Sequence, residues 1–306
     1  MSIWVAGEVL IDVLPTGPVV GGGPANTAKA LARLGHDVEF IDGISTDAYG
    51  VSARKEFVRD GVKLTYALSS DKPTCTAQVK LDDKGAASYI FTIDGTATFD
   101  FSDSWLPDPS RFKPSLLHIG TLVTIIEPGC QVLHEWAMRV AEFAPIVFDP
   151  NIRPSVISDR DLYEAAIEKW VAISTVVKVS DDDLAWLFPG LESIDVAKRW
   201  ISEGVAMVVI TRGAEGLTAV TAHEVCSVAG VRVDVIDTVG AGDTVGAALV
   251  EAIIEHGVLN LHDDLLKDVL HRAGVAASIT CSRKGAQPPT KNELRDALEQ
   301  LESRAQ

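Results

Sequence analysis

The chain predicts an α/β protein: a mostly parallel central sheet covered by helices on both faces, with a small β-layer projecting from it. Three observations carry this. Short β-branched apolar runs alternate with runs of helical period through most of the 306 residues. Glycines stand where several of those helices should stop. One stretch, Thr74 to Thr92, breaks the alternation and has the pattern of two antiparallel strands.

In chain order, Ile3 to Val9 predicts the first strand, and Asp12 to Val20 joins the β-layer. Asn26 to Leu34 predicts a helix, since Ala28, Leu31, Ala32 and Leu34 share a face and Gly35 follows as a stop. A strand over Val38 to Ile44 and a helix over Ala48 to Asp60, closed by Gly61, come next. Thr74 to Leu81 and Ala86 to Thr92 flank Asp82-Asp83-Lys84-Gly85, a hairpin turn signal. Strands at Leu116 to Ile119, Ile146 to Asp149, Val176 to Val179 and Ala206 to Thr211 then alternate with helices at Gln131 to Phe143, Asp161 to Trp170 and Ile194 to Ser202. Val231, Val233, Val235 and Ile236 predict a further strand. Val245, Ala248, Leu249, Ala252 and Ile253 predict a helix running to Gly257. The whole chain, 1–306, is expected to be one domain whose β-layer, about 12–20 and 73–99, serves as a lid that excludes water, as a surface or dimer contact, or as both.

Composition narrows the function. The chain is 47% hydrophobic and 23% charged, with 27 Lys and Arg against 43 Asp and Glu. Its net charge of -16 is spread along the chain, which disfavours nucleic-acid backbones as partners. Cys75, Cys130, Cys226 and Cys281 form no CxxC pair and fit buried thiols in a reducing compartment. The seven histidines show no metal-binding spacing. No basic leader precedes Glu8 and Asp12, and no segment approaches the roughly 18 to 20 apolar residues of a membrane span. The expected setting is the cytoplasm, without membrane contact.

The most chemically pointed segment is Asp237-Thr238-Val239-Gly240-Ala241-Gly242-Asp243-Thr244, at a predicted strand-to-helix turn. Gly240 and Gly242 let the backbone bend and expose amides where the helix dipole favours an anion. Asp243 would repel that anion unless it acts as a base toward the group attacking it. Alone, such a turn also serves as an ordinary helix cap. Near the N-terminus, Gly21-Gly22-Gly23-Pro24-Ala25-Asn26-Thr27-Ala28 permits close ligand approach, Pro24 suits a first helical turn, and Asn26 offers a donor and an acceptor to a polyol. No Gly-Lys-Ser/Thr follows, so this is not a Walker A loop.

Together, the GGGPANTAKALARLG and DTVGAGDTVGAAL segments resemble the two signatures of the ribokinase-like, or PfkB, carbohydrate kinases, and the resemblance runs from Gly7 to about Pro289. It implies a three-layer α/β/α sandwich with a β lid, ATP as phosphoryl donor, Mg2+, and a sugar or nucleoside hydroxyl as acceptor; a homodimer through the lid stays open as the alternative already given for the β-layer. Asp243 then matches the catalytic base, and Gly240, Ala241 and Gly242 match the anion hole. Asp12, Gly22, Gly23 and Asn26 match sugar-binding positions. Asp149-Pro150-Asn151-Ile152-Arg153-Pro154 resembles the DPNxR stretch of fructokinase-like members, which adds Asn151 and Arg153, and Phe91 stands in the lid segment of the same branch. On the nucleotide side the resemblance implies Lys178, Ser180, Asp183, Thr211, Gly213, Gly216, Gly240 and Gly242, with Ala273 to Ser278 as helix against the adenine.

Some positions depart from the family pattern. Ser180 and Asp183 replace an Asn-x-x-Glu element that organises magnesium, and the shorter Asp183 would reach the ion through water. Arg283-Lys284-Gly285-Ala286 resembles the loop closing a potassium site built from Asp237 and the backbone oxygens of Val239, Thr280, Arg283 and Gly285. Pro289 stands where a serine often helps. Within the family the motifs point to fructose, phosphorylated at O6, although Thr92 and Ile93 replace an aromatic and an arginine of the lid. Ribose, 2-keto-3-deoxygluconate and nucleosides stay open as acceptors. A non-catalytic sugar sensor on the same fold stays open too. A nicotinamide oxidoreductase is disfavoured because Gly240, Gly242 and Val245 miss the third glycine of GxGxxG.

Overall fold

The computed structural model describes residues 1–81 and 87–305; the turn expected at 82–85 and Ala86 lie outside the described residues. Strand β1 (Ile3–Ala6) leads into a hairpin, β2 (Leu10–Leu14) and β3 (Gly17–Gly21), and then helix α1 (Gly23–Arg33). Next come β4 (Val38–Ile41), β5 (Gly43–Ser45), α2 (Ala48–Asp60), β6 (Leu68–Ser70), β7 (Thr76–Leu81), β8 (Ala87–Thr92) and the single turn α3 (Pro109–Phe112). The central stretch holds β9 (Leu116–Gly120), α4 (Gly129–Ala141), β10 (Ile146–Asp149), α5 (Arg160–Val171), β11 (Val176–Ser180), α6 (Asp181–Leu187) and α7 (Ser193–Ser202). The chain closes with β12 (Met207–Thr211), β13 (Leu217–Thr221), β14 (Val225–Val228), α8 (Ala241–His256), α9 (Asp263–Cys281) and α10 (Lys291–Ala305).

Eight strands form the central sheet in the order β14-β13-β12-β11-β10-β9-β1-β4. It is parallel from β4 through β12, and β13 and β14 add an antiparallel edge. Alternate side chains of β1 enter opposite cores. Ile3 and Val5 pack with α1, α2, α8, α9 and α10, whereas Trp4 and Ala6 pack with α4, α5, α6 and α7. That division makes the three layers. A separate four-stranded sheet has the order β3-β2-β7-β8 and brings together the two segments expected to form the β-layer.

From β1 the chain moves to β4 on one side and later to β9 on the other. The crevice beyond the carboxyl ends of β1 and β9 is therefore the topological switch point, where ligands gather in open α/β sheets.

Three expected strands change. The first stops at Ala6. Val38 to Ile44 divides at Asp42, whose buried carboxylate accepts the Val9 and Gly43 N–H groups at 2.9 and 2.7 Å and so replaces ladder bonds there. Val231 to Ile236 forms no strand. Val235 and Ile236 are exposed, and the Ile236 and Asp237 N–H groups bond the Cys281 carbonyl instead of a neighbouring strand.

Candidate active site

Two cavities meet at the start of α8. One, of about 480 Å³, lies at the switch point beside the four-stranded sheet and is lined by Asp12, Gly22, Gly23, Asn26, Phe91, Asn151, Arg153, Lys178, Gly240, Gly242 and Asp243. The other, of about 560 Å³, is bounded by Thr211, Gly213, Gly216, Val231, Val233, Ala241, Gly242, Gly274, Ala277 and Ser278, and is mostly apolar. Thr238 and Gly242 line both. A group seated on the glycine turn is thus reachable from either side.

The turn has its shape for local reasons. Gly240 caps α8 at a left-handed φ of 79°, a region costly for other residues. A Cβ added to Gly242 would stand 2.9 Å from Lys178 Nζ, so any side chain there would displace that ammonium from the turn. First-turn N–H groups of α8 and its dipole add positive potential at the same point. The Thr244 hydroxyl lies 2.9 Å from that of Thr280, tying the turn to α9.

Asp243 sits in that first turn with a buried carboxylate. The Asn26 amide donates to Asp243 Oδ2 at 2.9 Å. Burial pushes the Asp243 carboxyl up to about 6; Lys178, the Asn26 hydrogen bond and Arg153 pull it down, while Asp149 pushes with burial. Asn26 Oδ1 is buried and has no hydrogen-bond partner among the described residues, so it is an acceptor waiting for a hydroxyl donor. Asp12 is also raised by burial, against the charges of Arg153 and Lys29.

Beneath the cavity lies a buried charged layer. Lys178 Nζ contacts Asp149 Oδ2 at 2.9 Å, and both side chains are almost fully enclosed. Burial opposes the lysine charge, but Asp149, with help from Asp243 and Asp183, more than offsets it and raises the Lys178 pKa. His118, on β9, is pushed down to about 4 by burial, against Asp149, and is neutral at pH 7. Glu8 hydrogen-bonds the Thr121 hydroxyl, and burial raises its carboxyl to about 7, against Thr121 and Arg153. Asn151 and Thr121 both carry left-handed φ, 40° and 63°. For a β-branched threonine that is strained, and such strain clusters at sites.

Other expected site residues, Val239 excepted, lie apart from both cavities. Ser180 and Asp183 form a capping box on α6, and Asp183 Oδ1 also accepts the Ile152 N–H at 3.0 Å. Each carboxylate oxygen is therefore engaged, with lone pairs left for water. Asp237 Oδ1 and Oδ2 accept the Val239 and Gly285 N–H groups at 3.0 and 2.8 Å, drawing the 237–239 and 283–285 loops together. The Thr280 carbonyl accepts the Arg283 N–H at 3.1 Å. Val239 lines the first cavity; Asp237, Thr280, Arg283 and Gly285 line neither.

Glu8, Leu10, Leu122, Ser155 and Thr238 line the first cavity without having been singled out as site residues, and Asp149 and His118 lie beneath it. Thr238 and Asp149 sit inside motifs already recognised. Nothing local marks His118, which reads as one more strand residue.

The model of the pfkB family carbohydrate kinases matches residues 9–293, and the chain belongs to that family. Among relatives, a fructokinase of Rhizobium leguminosarum bv. trifolii is 36% identical over 256 residues, covering 81% of this chain and 78% of that one. A crystal structure of fructokinase with bound ATP from Xylella fastidiosa superposes with a TM-score of 0.88 at 24% identity, over 98% of this chain and 99% of that one. A Vibrio cholerae fructokinase structure in a fructose, ADP and calcium ion bound form gives a TM-score of 0.84 at 26% identity, over 97% and 99% of the two chains. The chain is accordingly an ATP-dependent sugar kinase of ribokinase-like fold.

Proposed function

We propose that this chain transfers the γ-phosphoryl group of ATP to fructose, giving fructose 6-phosphate and ADP. The observation that carries the proposal is the position of Asp243: at the junction of a polar cavity and an apolar one, held by Asn26, with a carboxyl titrating near 6. In this proposal fructose occupies the polar cavity. Its hydroxyls engage Asp12, Asn26, Asn151 and Arg153 and the backbone at Gly22 and Gly23, with Phe91 closing the mouth. Adenine occupies the apolar cavity near Gly213, Gly216 and Ala277, with Thr211 at its edge.

Asp243 takes the proton of the attacking hydroxyl, whose oxygen bonds to the γ-phosphorus as the bond from that phosphorus to the ADP oxygen breaks. The amides at Gly240, Ala241 and Gly242 and the Lys178 ammonium stabilise charge on the transferring group. Mg2+ suits the site as an ion carried largely on the nucleotide phosphates, with Asp183 reached through water. It would offset phosphate charge. Asp237 and the carbonyls of Val239, Thr280, Arg283 and Gly285 are the groups that would hold K+. Val19 and Ile90, exposed on the two outer strands of the four-stranded sheet, offer apolar area for a homodimer contact.

The test is an ADP-release screen over hexoses, pentoses, keto-deoxy acids and nucleosides, with Asp243→Asn as control. Fructose should give the highest kcat/KM, and the variant should lose turnover. A nucleoside or keto-deoxy acid in first place overturns the acceptor; binding of sugar without ADP release in the wild type overturns the reaction.

A further inference from the structure

A third cavity, of about 280 Å³, lies behind the sugar site and shares no lining residue with either cavity described above. Strand β3, helices α1 and α2, and the 283–287 loop enclose it. Four cations line it, Lys29, Arg33, Arg59 and Lys284, against two carboxylates, Glu56 and Asp60. In a chain of net charge -16 this is a local inversion of sign.

Three carboxylates, Glu56, Asp60 and, just outside the lining, Glu293, pair with three of the four cations and leave the Lys284 charge over among the described residues. Lys29 contacts Glu56 at 3.1 Å, and Arg59 reaches Glu56 at 3.5 Å and donates to both Asp60 oxygens, at 3.3 and 3.1 Å. Arg33 stands 3.6 Å from Asp60 and 3.9 Å from Glu293, and its buried Nε has no hydrogen-bond partner among the described residues. Lys284 is exposed and forms no ion pair among the described residues. The unpartnered Arg33 Nε and the unpaired Lys284 ammonium, with Arg59 beside them, are charge-assisted donors that phosphate oxygens can take and a neutral ligand uses less well. The volume lies at the small end of ligand sites, which excludes a nucleotide-sized guest and suits a compact one.

We propose that this cavity binds a small phosphorylated anion and thereby braces the catalytic turn from behind. Ala286 lines the cavity and packs on Gly240: a Cβ added to Gly240 would lie 2.6 Å from the Ala286 Cβ. Gly285, also in the lining, is bonded to Asp237 at the start of the same turn. Val20 brings in β3, the strand that runs into Gly22. An anion held by Arg33, Arg59 and Lys284 joins α1, α2 and the 283–287 loop, so the segment supporting Gly240 loses freedom when it binds.

The test uses the full chain and inorganic phosphate as probe, by isothermal titration with and without saturating ADP. Phosphate is expected to bind in both conditions. The double variant Arg59→Gln with Lys284→Gln, both at exposed positions, should weaken it at least tenfold, and Arg33→Gln should do the same. Amide exchange at 283–287 should slow on phosphate addition in the wild type and not in the double variant. Arg59→Gln alone should leave phosphate-free turnover unchanged. Absence of binding, binding abolished by ADP, or affinity untouched by the variants each overturns the proposal, the second placing the ion in the glycine turn. None of these outcomes depends on which sugar is phosphorylated.

Discussion

The Asn26 side chain donates from Nδ2 to Asp243 Oδ2 at 2.9 Å across 217 residues of sequence, joining the two glycine-rich segments of the chain through one hydrogen bond. The bond occupies one end of the amide. The other end, Oδ1, is buried with no hydrogen-bond partner among the described residues. Asn26 can therefore steady the carboxylate and accept from a hydroxyl at the same time.

Replacing Asn26 by alanine should act on both ends. Loss of a buried polar partner costs about 1–3 kcal/mol, so the affinity for fructose should fall roughly 10- to 100-fold while that for ADP holds. Because the hydrogen bond pulls the Asp243 carboxyl down, its removal should also move the acid limb of kcat/KM to higher pH. Titration calorimetry with each ligand and a pH profile check the two halves. An unmoved limb would separate Asn26 from Asp243 functionally.

Asp243→Asn should lower kcat by roughly 100- to 10,000-fold, the range of a positioned base, with fructose and ADP still binding. In the wild type, kcat/KM should fall as pH drops below about 6, where the carboxyl takes up its proton. Stability should run the other way. The folded-state pKa lies above the ordinary 3.8, so the group's favourable contribution is complete below that ordinary value and is lost as pH rises through about 6. The Asn variant should accordingly unfold at higher temperature than wild type at pH 8, by an amount on the order of 1–3 kcal/mol, and the gap should close near pH 4. Thermal unfolding at the two pH values measures it.

Much of the architecture was legible because it depends on local period and turn chemistry. The alternating strands, the helix stops near Gly35 and Gly61 and the β-layer segments follow from spacing alone. Val231 to Ile236 misled because β-branched residues suit a strand and an exposed rim equally; here Val231 and Val233 wall the apolar cavity while Ile236 faces solvent. Asp42 had no signal, since a buried carboxylate that divides a strand is marked only by partners such as Val9, 33 residues away. At the site, Asp12 and, from three separate motifs, Asn26, Arg153 and Asp243 line one cavity, but Glu8 and His118 required the third dimension. The Ser180 and Asp183 pair shows the limit from the other side: its helix-capping geometry is fully realised, whatever else it does.

Gly242→Ala tests the closeness of the turn to Lys178. The added methyl would stand 2.9 Å from Nζ, tighter than real contacts allow, so the ammonium must retreat. A displacement of about 1 Å at a reacting centre costs on the order of 100-fold in rate. The loss should appear in kcat and in the KM for ATP, with fructose affinity nearly unchanged. Equal loss of both affinities would point to a general distortion of α8.

Lys178→Met separates the structural from the catalytic share of the buried lysine. Alone it strands the Asp149 carboxylate, already short of a partner at Oδ1, in an enclosed site. Breaking such a pair costs about 3–5 kcal/mol. Burial still holds the neighbouring His118 below the ordinary imidazole range, which makes it a poor source of compensating charge. Adding Asp149→Leu removes the orphan charge, so the double variant should regain most of the lost stability. Turnover should not return, because no ammonium then faces the glycine turn. Chemical denaturation and ADP release, measured on the wild type, both single variants and the double, give the cycle; recovery of activity together with stability would make Lys178 a packing residue only.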